Sequence, residues 1–233
     1  MSVRLATPED EPAITALCTA AFFEENLFGV TIHPHRHQYP DDIIIFWHQW
    51  LRDDFAEPRN RILVTTTTFN GEEMVTGMAT WQRQGDDPGA QKVISEWIAP
   101  GEYAFQPLPS TRNRAIDPTK STILQDSEPF FKHHWAPTTH GVPRSQNWYL
   151  HLCAVDPAYH KRGFGQQLVK WGLDRAREEN VHASVMTSDG ANPFYFCCGF
   201  DEKVGNCTEG EGNPFGLANV KGGDILFKWA KDN

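Results

Sequence analysis

Leu152-Cys-Ala-Val-Asp-Pro-Ala-Tyr-His-Lys-Arg-Gly-Phe-Gly-Gln-Gln-Leu168 reads as a strand, a short basic turn with two glycines, and the start of a helix. The apolar run ends at Asp156-Pro157, since proline cannot donate to a strand ladder. Gly163 and Gly165 permit positive φ and a close backbone approach that a Cβ would forbid. The turn therefore aims several N–H groups at one point beside a helix N-terminus, where the macrodipole also favours negative charge. Lys161 and Arg162 add formal positive charge. Physically this is a cradle for a pyrophosphate. Two common nucleotide loops are excluded by residues: a dinucleotide fingerprint needs a third glycine at 168, where Leu168 stands, and a Walker loop needs a Gly-Lys-Ser/Thr that the chain lacks.

Downstream, Leu168, Val169, Gly172, Leu173 and Ala176 form one apolar stripe, and Lys170, Asp174, Arg177 and Glu178 a wet face. That periodicity predicts a helix reaching about Asn180. A strand over His182–Thr187, a short helix over Asn192–Cys198 and a closing antiparallel pair, 201–206 with 224–229, follow. Upstream, Trp148–Val155 is a buried strand by composition. The N-terminal part offers a strand at Val3–Ala6, then Thr7 as N-cap with Pro8 at the first helical position. A second helix begins near Asp41, with Ile43, Phe46, Trp47, Trp50 and Leu51 on one face. Arg61–Phe69 and Met74–Gln82 flank Asn70-Gly71, a strong hairpin signal. Between 84 and 146 periodicity fails and prolines gather. A structureless loop of that length is improbable in a compact domain, so an insertion with short helices near 91–97 and 127–135 is expected.

The 233 residues suit one domain spanning 1–233. A net charge of -9 argues against nucleic acid or an anionic membrane as partner, since both demand a basic face, and tilts toward a cationic small molecule. Five cysteines without a CxxC pair offer neither a zinc ribbon nor a redox motif. With no apolar signal core at the start, a reducing, cytoplasmic location is expected. His33, His35 and His37 lack a fourth ligand at a recognisable spacing, so they read as a solvated loop and no metal is expected. Glu24, Glu25, Asp41 and Asp42 read as caps and wet faces.

Together with Asn192-Pro-Phe-Tyr-Phe-Cys-Cys-Gly-Phe200, the cradle segment resembles the two central motifs of the GNAT N-acetyltransferase superfamily. In the first motif a Gln or Arg precedes the glycines, and His160 stands there instead. The resemblance implies a mixed α/β sheet of six or seven strands with flanking helices, interrupted between the third and fourth strands by the insertion 84–146. It also implies acetyl-CoA as co-substrate and direct attack by an amine, which the acidic balance, the Thr208–Pro214 loop and the aromatic-rich insertion suggest is that of a small molecule. The rivals are a non-catalytic acyl-CoA-binding domain and a protein or peptide amine acyltransferase; oligomeric state stays open.

Carried over residue by residue, the resemblance gives Cys153, Ala154 and Val155 main-chain contacts to pantetheine, a form of strand addition. His160, Lys161, Arg162, Gly163, Phe164, Gly165 and Gln166 hold the pyrophosphate, and Asn192 and Tyr195 belong to the second motif. Tyr195 matches the tyrosine that protonates or orients the departing thiolate, a role that suits a phenol, protonated at neutral pH. His151 matches one of two catalytic histidines in the serotonin N-acetyltransferase branch, whereas the other position holds Tyr149. An imidazole titrates near neutrality and suits a general base. Strand alternation puts His151 and Cys153 on one face. Nothing near Cys153 in sequence lowers its pKa, so an acyl-cysteine route is disfavoured. For the acceptor, the loop Thr208–Pro214 sets Glu209 and Glu211 beside an ammonium. The insertion's Trp97, Tyr103, Phe105, Phe130, Phe131 and Trp135 form a lid offering cation–π contact.

Overall fold

β-Branched residues and the Asn70-Gly71 turn build the first half of the sheet. The computed structural model describes residues 2–101, 104–108 and 112–231; Tyr103, one of the expected lid rings, lies outside them. Strand β1 (Ser2–Leu5) pairs with β2 (Asn60–Phe69), and β2 with β3 (Glu72–Arg83), both antiparallel. The hairpin turns through Asn70 (φ 53°) and Gly71 (φ 87°), the left-handed pair that a two-residue turn requires. Strand β4 (Asn147–Val155) lies antiparallel to β3 and parallel to β5 (His182–Ser188). Helix α5 (Phe164–Glu179) supplies the crossover that a parallel pair needs. Strands β6 (Glu202–Asn206) and β7 (Gly222–Lys228) complete one seven-stranded mixed sheet in the order β1-β2-β3-β4-β5-β7-β6.

One face of the sheet packs on α5, joining Leu63, Ala79, Trp81 and Leu150 to Leu168 and Val169. The other face packs on α1 (Glu11–Phe22) and α2 (Ile43–Ala56), where Ile14, Leu17, Ile43 and Trp47 meet Ile62, Met78, Leu152 and Ala154. Trp81 is fully buried and its Nε1 donates to the Leu168 carbonyl at 3.0 Å. The indole lies where a side chain at Gly172 would otherwise project: a Cβ built there would sit 2.1 Å from Trp81 Cε2. Gly172 thus sets the distance between α5 and the sheet.

The long segment between β3 and β4 contains α3 (Pro88–Ser95) and α4 (Ile123–Phe131), the latter continued by a 3₁₀ turn, Lys132–Trp135. Buried Arg83 ties its start to the end of α5, pairing with Asp87 at 2.7 Å and Glu179 at 2.8 Å. Its second half covers the far part of the sheet: Ile123 and Phe131 pack with Ile32, Phe215, Ile225 and Phe227. Among the elements that escape the sequence pattern are the π-helical turn Asn26–Ile32, the short α7 (Pro214–Leu217) and a small hairpin in the insertion, Thr138–Thr139 with Val142–Pro143. Among the described residues no single helix is long and apolar enough to cross a membrane.

Candidate active site

Strands β4 and β5 run together only from Asn147–His182 to Leu150–Val185. Beyond Leu150 they diverge, so the β5-facing backbone edge of residues 151–155 has no strand beside it. The cause lies one strand away. Against β3, Leu152 opposes Thr80 and Leu150 opposes Trp81, leaving His151 as the extra residue of a bulge. A bulge bends its strand and sharpens the local twist, which opens the sheet into a V.

The bulge also corrects the expectation that His151 and Cys153 share a face. Leu150 and Cys153 pack on the α5 side, while Leu152 and Ala154 pack on the α1–α2 side, so alternation is broken at 151. The His151 ring turns to α2, tilted 37° to the Trp50 ring at 5.2 Å between centroids. Tyr149 lies 5.9 Å away on the same side.

At the mouth of the V sits the cradle. Lys161 (φ 60°) and Gly163 (φ 83°) take left-handed conformations, and Gly163 caps α5. The first turn of α5 leaves the N–H groups of Phe164, Gly165 and Gln166 without intrahelical acceptors, as at any helix start. A Cβ at Gly165 would come within 3.2 Å of the Phe194 ring and 3.4 Å of Val155, so a side chain there would press on both; only Gly163 of the two glycines takes a positive φ. His160 takes no place among these donors. Its Nε2–H donates to the Val155 carbonyl at 2.9 Å and straps the loop to the end of β4. Arg162 stacks over the Tyr159 ring at 5.1 Å.

Helix α6 (Asn192–Cys198) brings Tyr195 beneath the split. Burial pushes the Tyr195 phenol well above its usual range, and nearby Cys153 and Cys198 act in the same direction. Its hydroxyl has no hydrogen-bond partner among the described residues, and the side chain lines a cavity. The Asn192 side chain is differently placed: it accepts from Thr187 and donates to Asp224, each at 2.6 Å, and so fixes α6 to β5 and β7. Burial pushes the Cys153 thiol up to about 12, which leaves it protonated and a poor nucleophile.

The cavity has a volume of about 690 Å³ and extends from Tyr195 and Cys153 at the split to the α2 side. Its walls carry Phe28, Trp50, Trp135 and Tyr149, with the carboxylates of Glu25, Asp53, Asp54 and Glu128 against Lys132 and Lys221. Burial raises Glu25 although two backbone N–H groups, of Leu27 and Phe28, hold its carboxylate. Burial, aided by the neighbouring Asp54 charge, raises Asp53. Two buried ring nitrogens at this cavity, Trp50 Nε1 and His151 Nδ1, have no hydrogen-bond partner among the described residues. An acid-rich, aromatic-walled pocket favours a cation with an apolar body.

Several sequence expectations move. Glu209 and Glu211 are exposed and lie outside the cavity lining, and Glu25, Asp53 and Glu128 stand where those two were expected. Of the lid rings, Phe131 and Trp135 line the cavity, whereas Trp97 and Phe105 pack near the end of α2, on Phe55. Phe130 lies against Gly210. His33 is not solvated: it is buried, its Nδ1–H donating to the Phe28 carbonyl at 2.6 Å and its Nε2 accepting from Asn113 at 3.2 Å.

The glycine-bearing turn before α5, the strand split and the buried Tyr195 phenol thus lie together at one end of the sheet. Residues 129–200 match the model of the acetyltransferase (GNAT) family. An acetyltransferase of Stachybotrys chartarum is 24% identical over 207 residues, covering 86% of this chain and 80% of its own. A Corynebacterium glutamicum structure, described as a histone acetyltransferase HPA2 and related acetyltransferase, superposes with TM-score 0.58 at 17% identity, over 98% of this chain and 96% of that one. Mosquito arylalkylamine N-acetyltransferase like 5b gives 0.56 at 14% identity, over 97% and 98%. By sequence over residues 129–200 and by fold along nearly its whole length, the chain is similar to GNAT acetyltransferases, and these similarities support an acyltransferase.

Proposed function

We propose that the protein moves the acetyl group of acetyl-CoA onto the primary amine of a small molecule, by direct attack within a ternary complex. The observation that carries this reading is the single cavity joining Tyr195 and Cys153 at the strand split to the carboxylates of Glu25, Asp53 and Glu128. Donor and acceptor would meet there without leaving the protein. The residues present fit the donor: the α5 N-terminus and the Lys161–Gly165 turn suit its pyrophosphate, and the edge of β4 beyond Leu150, which no strand covers, suits the amide-bearing pantetheine arm, with the Val155 carbonyl already taken by His160. The elevated Cys153 thiol supports direct attack over an acyl-cysteine. The proposal extends to one unit, 1–233, in which the segment 84–146 serves as the acceptor wall.

In the proposed reaction the acidic wall draws in an ammonium, and His151 accepts a proton from it and passes that proton to water. The freed nitrogen lone pair forms the bond to the acetyl carbon. The carbon–sulfur bond breaks with its electron pair on sulfur, Tyr195 gives its proton to that sulfur, and the second N–H proton of the attacking nitrogen replaces it. Catalysis by such placed acids and bases is typically worth ~10²- to 10⁴-fold each.

CoA release with acetyl-CoA and a panel of aryl-alkyl amines, polyamines, amino sugars and a lysine-containing peptide tests the reading. Turnover of small amines is expected. Exclusive acetylation of the peptide, or no release with any amine, would reject it.

A further inference from the structure

The bulge that isolates His151 also presses its ring against a buried carboxylate that the sequence did not single out. Asp54, on the last turns of α2, is 5% exposed. Its Oδ2 accepts from the Thr80 hydroxyl at 2.8 Å and its Oδ1 from Asn60 Nδ2 at 3.3 Å, so the carboxylate is held from two strands. His151 Nδ1 lies 3.5 Å from Oδ1. That separation is an ion-pair approach, longer than a formed hydrogen bond, and the same Nδ1 is buried with no other partner among the described residues. Trp50 and Tyr149 hold the imidazole plane, leaving little freedom except the small shift that closes the contact. His151 lines the cavity, and because its Nδ1 is buried while the side chain is 29% exposed, the exposed part lies elsewhere on the ring.

We propose that Asp54 is a positioning residue: it draws the proton of neutral His151 to Nδ1, so that Nε2 faces the cavity as a bare lone pair. The inference deepens the amine-acetylation reading and rests on it for the function of the lone pair, though not for the tautomer itself. Which ring nitrogen of a histidine is free is set by the hydrogen bond the other makes, and a carboxylate, having only acceptors when ionised, selects Nδ1–H. A tautomer with the proton on Nε2 would present a donor to the substrate ammonium and could accept nothing from it. Asp54 needs no contact with substrate to have this effect.

Nitrogen-15 NMR of the imidazole in the full-length protein, assigned with His151→Gln, is the test. At a pH where the ring is neutral, wild type should show a protonated Nδ1 and a bare Nε2. Asp54→Ala, checked for folding by circular dichroism, should transfer the proton toward Nε2 and lower kcat roughly tenfold to a thousandfold, a larger change than in KM. Asp54→Glu, which restores an acceptor, should recover part of both signals. A wild-type spectrum with the proton on Nε2 overturns the proposal outright, even where Asp54→Ala fails to fold. An unchanged tautomer in folded Asp54→Ala overturns it as well. A protein with Nδ1 protonated but no turnover of any amine would retain the positioning and reject the acetylation reading instead.

Discussion

Replacing Gly172 by alanine sets two physical effects of opposite sign against each other. In an ordinary helix the change stabilises, by about 0.8–1.0 kcal/mol, since glycine loses more backbone entropy. Here the new methyl would lie 2.1, 2.3 and 2.4 Å from three carbons of the Trp81 indole. Carbon atoms in contact prefer ~3.5–4.0 Å, so α5 must retreat by more than an ångström or the indole must rotate. Either movement breaks the Trp81–Leu168 hydrogen bond and leaves a buried donor unpaired, at ~1–3 kcal/mol. Overpacking adds ~1–3 kcal/mol. Less the propensity gain, the net destabilisation is about 3 kcal/mol. At ~2–4 °C per kcal/mol for a chain of this size, Tm should fall by roughly 6–12 °C. Urea titration followed by tryptophan fluorescence, alongside a thermal melt, measures both quantities. An unchanged or raised Tm would mean that α5 does not seat on Trp81 as described, and with it the placing of the cradle at the helix's other end would fail.

Three further outcomes are expected. Gly165→Glu puts a Cβ against Phe194 and a carboxylate where the pyrophosphate approaches; calorimetry should detect no acetyl-CoA binding to the folded variant, and unchanged affinity would remove the cradle. Tyr195→Phe deletes a hydroxyl without a protein partner, so Tm should hold while kcat falls ~10²- to 10⁴-fold; because burial raises the phenol, its proton is lost only as pH rises through that elevated value, and no descending limb from Tyr195 should appear between about pH 6 and 9. A loss under threefold would pass the role to another group. Arg114 holds Asp42 through its guanidinium and backbone N–H and lowers the carboxyl to about 2. A depressed carboxyl stabilises the fold above its unfolded pKa and loses that contribution as pH falls through the folded value. The tether of the insertion to α2 should therefore weaken only between about pH 4 and 2 in wild type, and at neutral pH in Asp42→Asn. Hydrogen-exchange protection at Arg114 reports it, and equal protection in the variant at pH 7 would count against the tether.

The sheet and its helices were legible because their signals are local. Apolar spacing along 164–179, the Asn70-Gly71 turn and the paired glycines at 163 and 165 each specify backbone within a few residues. Helix α6 falls over Asn192–Cys198 as read, since Pro193 suits the first turn of a helix and Gly199 its left-handed end. The insertion was harder. Its helices α3 and α4 begin three or four residues earlier than expected, because Asp87 caps the first and the second owes its apolar face to packing on Phe215, far along the chain.

The site divides along the same line. The proposed donor side is contiguous in sequence, and its motif could be read directly. The proposed acceptor side is assembled from Glu25, Asp53, Glu128 and Trp135, which line the cavity and which no spacing connects. Glu25 resembled an ordinary cap, and it is one; that it also lines the cavity follows from where the π-helical turn it caps packs, which no local spacing announces. The face of His151 was misjudged for a related reason. Strand alternation holds while a ladder stays in register, and a one-residue bulge reverses it. Nothing in Asn147–Val155 announces the bulge, since it depends on how Trp81 and Thr80 on the neighbouring strand must seat against opposite faces. Trp81 needs the space over Gly172, and Thr80 needs Asp54. Leu150 follows the first and Leu152 the second, so the residue between them is expelled from the ladder toward α2. The packing demand that shapes the core on one face therefore delivers the candidate base to the cavity on the other.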